Sequence, residues 1–115
     1  MQSYQLFINI SQFIKIKIGK LGFFTFPRGI YVYTGSAKKN IDSRIERHLS
    51  RHKNFHWHID YLLANDQSKI IKVTKSKVSE CDINAEVKGK IIVIGFGSTD
   101  CKENCGSHLK YIGDY

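Results

Sequence analysis

The sequence predicts one domain, residues 1–115, of the α+β class: a small mixed or antiparallel β-sheet flanked by helices, with an extra N-terminal β-hairpin. Three observations predict this fold class. Apolar and polar side chains alternate with a period of two in several early runs, which indicates half-buried strands. Residues 29–37 are rich in β-branched and aromatic side chains, as in an inner strand. Apolar residues then recur at every fourth position after Asn40, which indicates an amphipathic helix.

The first part of the chain is predicted to consist of short strands. Residues 4–10 and 13–18 both alternate apolar with polar side chains and are separated by a two-residue turn, so together they are typical of a β-hairpin. Residues 23–26 continue as a third short strand. A turn at residues 27–29 leads into the fourth.

The fourth strand, within residues 29–37, carries two tyrosines. A period of two puts Tyr31 and Tyr33 on the same face of the strand. The other face carries Ile30, Val32 and Thr34. We expect the strand to end in a tight turn at Gly35-Ser36, with a basic helix directly after it. Both phenols therefore point the same way, beside cationic side chains.

The helix that follows is predicted to begin after Asn40, a residue type favoured at the N-cap. Its buried stripe is formed by Ile41, Ile45 and Leu49. A second helix is predicted over residues 57–64, and residues 69–75 have the pattern of a strand.

The last part of the chain is predicted to hold one short helix and two strands. Ser79 followed by Asp82 is similar to a capping box, so a helix is expected over residues 79–87. The continuous apolar run at residues 91–94 predicts a buried strand, and residues 108–112 predict the last strand.

The composition favours an anionic partner. The formal net charge is +8, which is typical of nucleic-acid binding, although a solvated basic surface is the alternative. No apolar run approaches the roughly 20 residues that span a bilayer, and no secretory leader is recognisable, so we expect a cytoplasmic protein without a membrane partner. Three cysteines make an odd count, which disfavours a disulfide framework.

The side chains needed for phosphodiester hydrolysis are all present in the chain. The reaction needs a positioned water or base, positive charge on the phosphate, and help for the leaving oxygen. Tyr33 or an upstream tyrosine can orient or deprotonate the water, Arg44 can hold the phosphate, and Glu80 can ligate one divalent ion. A tyrosine base requires that its usual pKa of about 10 be overcome.

Two short motifs make the chain resemble the GIY-YIG nucleases. Tyr33-Thr34-Gly35 matches the YIG element, and Ser3-Tyr4-Gln5-Leu6 is similar to the first strand, with Tyr4 in the place of the GIY tyrosine and Gln2 where the family has glycine. The literal Gly29-Ile30-Tyr31 lies inside the YIG strand. Tyr31 takes the first-tyrosine role if the first strand aligns differently. The resemblance implies that residues 13–26 are an inserted hairpin.

The resemblance also implies roles for residues after the YIG strand. Arg44 is similar to the family's helix arginine, His48 to a histidine or tyrosine one turn later, and Glu80 to the glutamate that binds one Mg²⁺ or Mn²⁺. A closer likeness connects the chain with a small prokaryotic single-domain branch of unassigned function, sometimes attached to base-excision endonucleases. It is carried by the segments 44–48, 57–62, 80–81, 95–101 and 107–109. A DNA-repair enzyme is therefore an expected partner.

Several basic or polar side chains are expected to contact the nucleic acid, which is DNA with RNA as the alternative. They are Lys38, Lys39, Arg47, Arg51 and His58. Such contacts position a substrate without reading its bases.

A zinc site is a further possibility of the sequence. Its four ligands would be Cys81, Cys101, Cys105 and His108. Cysteines are also ordinary small core residues, so packing is the alternative. Two rival functions follow: a non-catalytic nucleic-acid-binding module that retains the fold, supported by the missing GIY glycine, and a zinc-stabilised adaptor that docks on a repair enzyme.

Overall fold

The fold was analysed in a computed structural model, which describes residues 2–37, 39–50, 57–96 and 107–113. Within these ranges the chain is an α+β domain, as the sequence predicts. The strands are β1 (Gln2–Ile10), β2 (Ile14–Lys17), β3 (Phe23–Phe26), β4 (Gly29–Ala37), β5 (Ser68–Ser76), β6 (Lys90–Ile91) and β7 (Leu109–Gly113). The helices are α1 (Ile41–Leu49), α2 (His58–Leu63) and α3 (Glu80–Glu86), and a 3₁₀ turn covers Gly19–Leu21. No helix in the described ranges is long and apolar enough to cross a membrane.

Two antiparallel sheets organise the strands. The larger one has the order β5-β1-β4-β7-β6, and the smaller one pairs β2 with β3. The hairpin predicted within residues 13–26 is therefore confirmed, with β2 and β3 as its two strands. The hairpin predicted between residues 4–10 and 13–18 is wrong, because β1 pairs with β4 and β5 instead. Alternation identifies a strand, but it does not identify the partner of that strand.

The main core lies on one face of the five-stranded sheet. In β1 the inward side chains are Tyr4, Leu6, Ile8 and Ile10, which lie in the same buried cluster as Tyr31 and Tyr33 of β4. The first two helices close this cluster with Ile41, Ile45, Ile59, Leu62 and Leu63. Burying these apolar surfaces stabilises the domain by about 25 cal/mol per Å² removed from water. The sheet therefore fixes the position of α1 over β1 and β4.

Two details of the predictions for β4 and α1 are wrong. β4 does not end in a tight turn at Gly35-Ser36 but runs on to Ala37, because it stays paired with β1 to that point. The buried stripe of α1 consists of Ile41, Ile45 and His48, whereas Leu49 is exposed.

The apolar run 91–94 forms no buried strand. Only Ile91 belongs to a strand, the two-residue β6, and Ile94 is 81% exposed, whereas Val93 is buried. An apolar run by itself does not show how many of its members reach the core. By contrast, α3 begins as predicted, because the Ser79 hydroxyl accepts a hydrogen bond from the backbone N–H of Asp82 at 3.2 Å.

Candidate functional site

A buried tyrosine–histidine pair lies between the sheet and α1. The hydroxyl oxygen of Tyr4 lies 2.7 Å from Nε2 of His48, and both side chains are about fully buried. Tyr4 comes from β1. His48 comes from the buried face of α1, which it shares with Ile41 and Ile45. The pair is a route for one proton, since a phenol can donate to a neutral imidazole or accept from it.

Ser36 connects the arginine and the glutamate of the site. The Nη1 of Arg44 donates to the backbone carbonyl of Ser36. Hydrogen bonding from the Ser36 side chain and the charge of Arg44 both act to lower the pKa of the Glu80 carboxyl, against the larger effect of its burial. Ser36 lies in β4, one residue after Gly35, so the end of that strand joins α1 to α3. The two residues that the sequence assigns to phosphate and metal are thus neighbours.

Burial controls the protonation of the two phenols of the site. Desolvation raises the pKa of Tyr4, with the charge of Arg44 acting in the opposite direction. Desolvation also raises the pKa of Tyr33 well above its usual value, and the nearby Tyr4 and Glu80 raise it further. These effects show that Tyr4, Tyr33, Arg44 and Glu80 share one electrostatic environment. Both phenols remain neutral at pH 7 and act there as hydrogen-bonding groups.

Aromatic rings enclose His48. The ring of Tyr33 meets it edge-on with centroids 6.1 Å apart, and the ring of Trp57 lies 5.7 Å from it. Tyr33 also packs edge-on against Phe96 at 6.2 Å. Edge-to-face packing of this kind fixes ring orientation. Tyr33 therefore holds the imidazole in place.

Trp57 also orders the two arginines of α1. The guanidinium carbon of Arg44 lies 4.8 Å from the centre of the indole ring, and that of Arg47 lies 4.4 Å from it. Stacking of a guanidinium on an aromatic face leaves its N–H groups available in the plane. The stacking therefore holds the Arg44 guanidinium in place and leaves N–H groups in its plane that can bind an anion.

The structure gives Arg47 a different environment from the one expected. Its two terminal nitrogens each lie 3.0 Å from a carboxylate oxygen of Asp60, which is fully buried. The same carboxylate accepts from the backbone N–H of Trp57 at 2.8 Å and so caps α2. A bidentate pair of this kind joins α1 to α2. Arg47 thus serves the scaffold that positions Arg44.

Tyr31 does not join this group. Its hydroxyl donates to the carbonyl of Pro27 at 2.6 Å, and its ring packs against Phe26 and Tyr111. In the β1–β4 register it pairs with Ile8, whereas Tyr4 pairs with Gly35. Of Tyr4 and Tyr31, it is Tyr4 whose hydroxyl lies within hydrogen-bonding distance of His48.

Glu80 has one further close neighbour, His108. Its Oε2 lies 3.6 Å from Nδ1 of His108, whose side chain is buried. Burial raises the pKa of Glu80, and burial together with the charge of Lys110 lowers the pKa of His108. The imidazole is therefore neutral at pH 7. A carboxylate beside a neutral imidazole is a donor set that suits a divalent ion, so the residues present fit the expected Mg²⁺ or Mn²⁺.

Three further residues predicted for binding, Lys39, His58 and Cys81, lie within the described ranges. Lys39 is exposed, and His58 packs against the ring of Phe96 at 5.7 Å, where burial lowers its pKa. Cys81 is half-buried on α3. The other predicted residues, Lys38, Arg51, Cys101 and Cys105, lie outside the described residues. Within the described ranges no group of three or more histidine, cysteine, aspartate or glutamate side chains is arranged to hold a metal.

Sequence reasoning missed two residues of this site. The carbonyl of Ser36 holds Arg44 in place, and Trp57, which the sequence assigns only to a helix, stacks on both arginines. Asp60 holds Arg47 in place. The aspartate three residues after Trp57 is an N-terminal capping signal that the sequence does contain. The contacts of Ser36 depend on strand pairing and leave no local signal.

The described residues define an α+β domain with a polar cluster where the end of β4 meets α1 and α3. The chain belongs to the family described as domain of unknown function DUF123, whose model matches residues 3–115. No curated protein matches the chain, and no solved structure matches it.

Proposed function

We propose that this protein is a metal-dependent endonuclease of the GIY-YIG type, which hydrolyses phosphodiester bonds in DNA and acts in DNA repair. The observation that supports this most directly is the junction at Ser36, where Arg44 and Glu80 meet. A cation and an anion held a short distance apart are what one scissile phosphate and its divalent ion require. RNA offers the same phosphate chemistry and remains the alternative substrate.

Arg44 binds the scissile phosphate. Its guanidinium has five N–H donors, of which one is directed at the Ser36 carbonyl and another at the hydroxyl of Tyr4, while the stacking on Trp57 uses its face. The free donors contact two phosphate oxygens, and their charge stabilises the extra negative charge that develops in the transition state.

The Tyr4–His48 pair supplies the route for the proton of the attacking water. Burial makes phenolate formation at Tyr4 unfavourable, so Tyr4 acts as a relay: it takes up the proton of the water while it gives its own proton to Nε2 of His48. Tyr33 packs edge-on against His48 and keeps the imidazole oriented for this transfer.

Glu80 holds the divalent ion. Mg²⁺ or Mn²⁺, when bound there, withdraws charge from the phosphate and the leaving oxygen. Ser36 keeps the carboxylate in place through its hydrogen bond. Because burial raises the pKa of Glu80, loading of the ion weakens in acid at a higher pH than it would for an exposed glutamate.

A second function, a nucleic-acid-binding module without turnover, is favoured by one observation. Tyr4 and Tyr33 are only 2% and 6% exposed, so little of either phenol is open to a substrate. In this alternative the cluster is a stabilising network, and the basic charge of the chain binds phosphates.

The two functions separate in a cleavage assay. The protein is incubated with supercoiled, nicked and branched DNA and with RNA, in Mg²⁺ and in Mn²⁺. We expect cleavage of DNA, reduced about 10²- to 10³-fold by Arg44→Met and by Glu80→Gln. The matched control is Glu86→Gln, which removes the same charge from an exposed position on α3 and should cleave at the normal rate.

The outcome that supports the binding module is binding without cleavage of any substrate. Affinity is then measured against salt concentration. A phosphate-dominated interface loses affinity steeply with salt, and Lys39→Ala should reduce the slope of log K against log salt by about one. A flat salt dependence contradicts both functions.

A further inference from the structure

His108 is a buried histidine whose ring has no hydrogen-bond partner among the described residues. Neither Nδ1 nor Nε2 is hydrogen-bonded there, although the side chain is 1% exposed. A polar group buried in this way is unfavourable unless something binds it. A charged group close to the ring is the carboxylate of Glu80, whose Oε2 lies 3.6 Å from Nδ1, which is too long for a hydrogen bond.

The backbone holds this ring in place. The N–H of His108 donates to the carbonyl of Phe96 at 2.8 Å, and its carbonyl accepts from the N–H of Thr34 at 2.9 Å. The preceding Ser107 is tied to α3, because the side-chain amide of Asn84 donates to its carbonyl at 2.9 Å. The start of β7 is thereby fixed against both β4 and the helix that carries Glu80. The approach of the two side chains is thus a product of the fold.

The separation of the two atoms matches that of two ligands on one ion. Two donors at about 2.1 Å from an ion, with an angle of about 90° to 110° between their bonds, lie about 3.0–3.4 Å apart. The observed 3.6 Å needs only a small inward movement of the glutamate side chain. That side chain is 27% exposed, so it has room to adjust.

We propose that His108 is the second protein ligand of the divalent ion held by Glu80. This inference deepens the proposed function and rests on it only in taking the ion to be the one used in cleavage. A set of one carboxylate and one imidazole favours a first-row transition ion such as Mn²⁺ over Mg²⁺, which prefers oxygen ligands. Water completes the coordination shell.

The test uses Mn²⁺ and the full chain without nucleic acid. Electron paramagnetic resonance measures the affinity for Mn²⁺, and pulsed measurements detect the coupling of the bound ion to a ¹⁴N nucleus. We expect a nitrogen coupling in the wild-type protein and Mn²⁺ affinity reduced about tenfold or more in His108→Leu. The affinity for Mg²⁺, measured by competition, should fall less in this variant.

Two further variants complete the design. Glu80→Gln should weaken Mn²⁺ binding as well, whereas Glu86→Gln, on the exposed side of the same helix, should not. His108→Leu replaces the ring by an apolar side chain, so thermal unfolding without metal checks that it folds. The nitrogen coupling of the wild-type protein is independent of any variant.

The inference is overturned if bound Mn²⁺ shows no nitrogen coupling, if His108→Leu binds Mn²⁺ as the wild type does, or if the wild type binds no Mn²⁺. The proposed nuclease function survives the first two results when cleavage still requires Glu80. Conversely, nitrogen-coupled Mn²⁺ in a protein that cleaves no substrate supports this ligand assignment and contradicts the nuclease.

Discussion

The ring of Tyr4 lies across Gly35, its partner in the β1–β4 register. A Cβ atom added to Gly35 would stand 2.5 Å from both Cζ and the hydroxyl oxygen of Tyr4. No side chain fits there while the phenol keeps its place. The glycine of the Tyr33-Thr34-Gly35 motif therefore has a steric role: it leaves room for the tyrosine of the neighbouring strand to reach His48.

Gly35→Ala is expected to displace Tyr4. Overpacking a filled core costs about 1–3 kcal/mol, and the shift should also break the 2.7 Å contact between Tyr4 and His48. Urea unfolding measures the loss of stability. In a Tyr4→Leu background, which removes the far end of the ring, Gly35→Ala should cost less. Equal costs in the two backgrounds would show that the two residues are not coupled.

Tyr4→Phe tests the proton route. It removes the partner of a buried imidazole nitrogen, which should cost about 1–3 kcal/mol of stability, and it should slow cleavage by about 10²-fold or more. The matched control is Tyr111→Phe, whose hydroxyl likewise lies 2.7 Å from its partner, the Arg28 carbonyl.

Tyr111→Phe should leave the cleavage rate unchanged. Normal cleavage by Tyr4→Phe would remove Tyr4 from the site. A loss of cleavage in Tyr31→Phe instead would assign the first-tyrosine role to Tyr31.

Asp60→Asn is expected to be among the more damaging single changes in the chain. The change removes the charge of the fully buried Asp60 carboxylate, so the Arg47 guanidinium loses its bidentate partner. Breaking a buried pair costs about 3–5 kcal/mol. The control is Asp42→Asn, which disrupts the pair with Lys75 between side chains 76% and 52% exposed and should cost less than about 1 kcal/mol. Similar unfolding midpoints for the two variants would contradict a structural role for the Arg47–Asp60 pair.

The buried phenols predict a loss of stability in alkali. Burial raises the pKa of Tyr4, Tyr31 and Tyr33 above the usual 10.0, so the folded state keeps protons that the unfolded state releases. Their contribution to the free energy of unfolding is complete below pH 10 and is lost as the pH rises through the folded-state pKa values.

Tyrosinate absorbance measures this. Of the six tyrosines of the chain, these three should ionise only as the protein unfolds. In the Tyr31→Phe variant, only two tyrosines instead of three should ionise together with unfolding. Ionisation of all the tyrosines while the near-UV circular dichroism stays native would contradict the prediction.

Much of the secondary structure was predictable because its signals are local. Alternation marks β1 and β4, and the spacing of Ser79 and Asp82 marks the start of α3. Where the local signal is ambiguous the prediction is wrong: Leu49 continues a spacing of four but is exposed, and His48 occupies the core instead. Only the packing of α1 on the sheet decides whether His48 or Leu49 is buried at the end of the helix.

The candidate site was predictable by residue type more than by arrangement. Tyr33, Arg44, His48 and Glu80 were named from their motifs, and the geometry brings them together with Tyr4. Arg47 has the same charge as Arg44 and lies on the same helix, yet it pairs with Asp60. Sequence does not separate these two arginines, because the difference lies in which element each one meets across the fold.

The sequence by itself determined most of the extended and helical segments, the basic charge, and the residue types available for catalysis, since these follow from local periodicity and composition. The tertiary structure decided the pairing of β1 with β4, the position of Tyr4 over Gly35, and the meeting of Arg44 with Glu80 at Ser36. The physical reason is that these contacts join segments far apart in the chain. Their energies depend on register and packing, which no local pattern encodes.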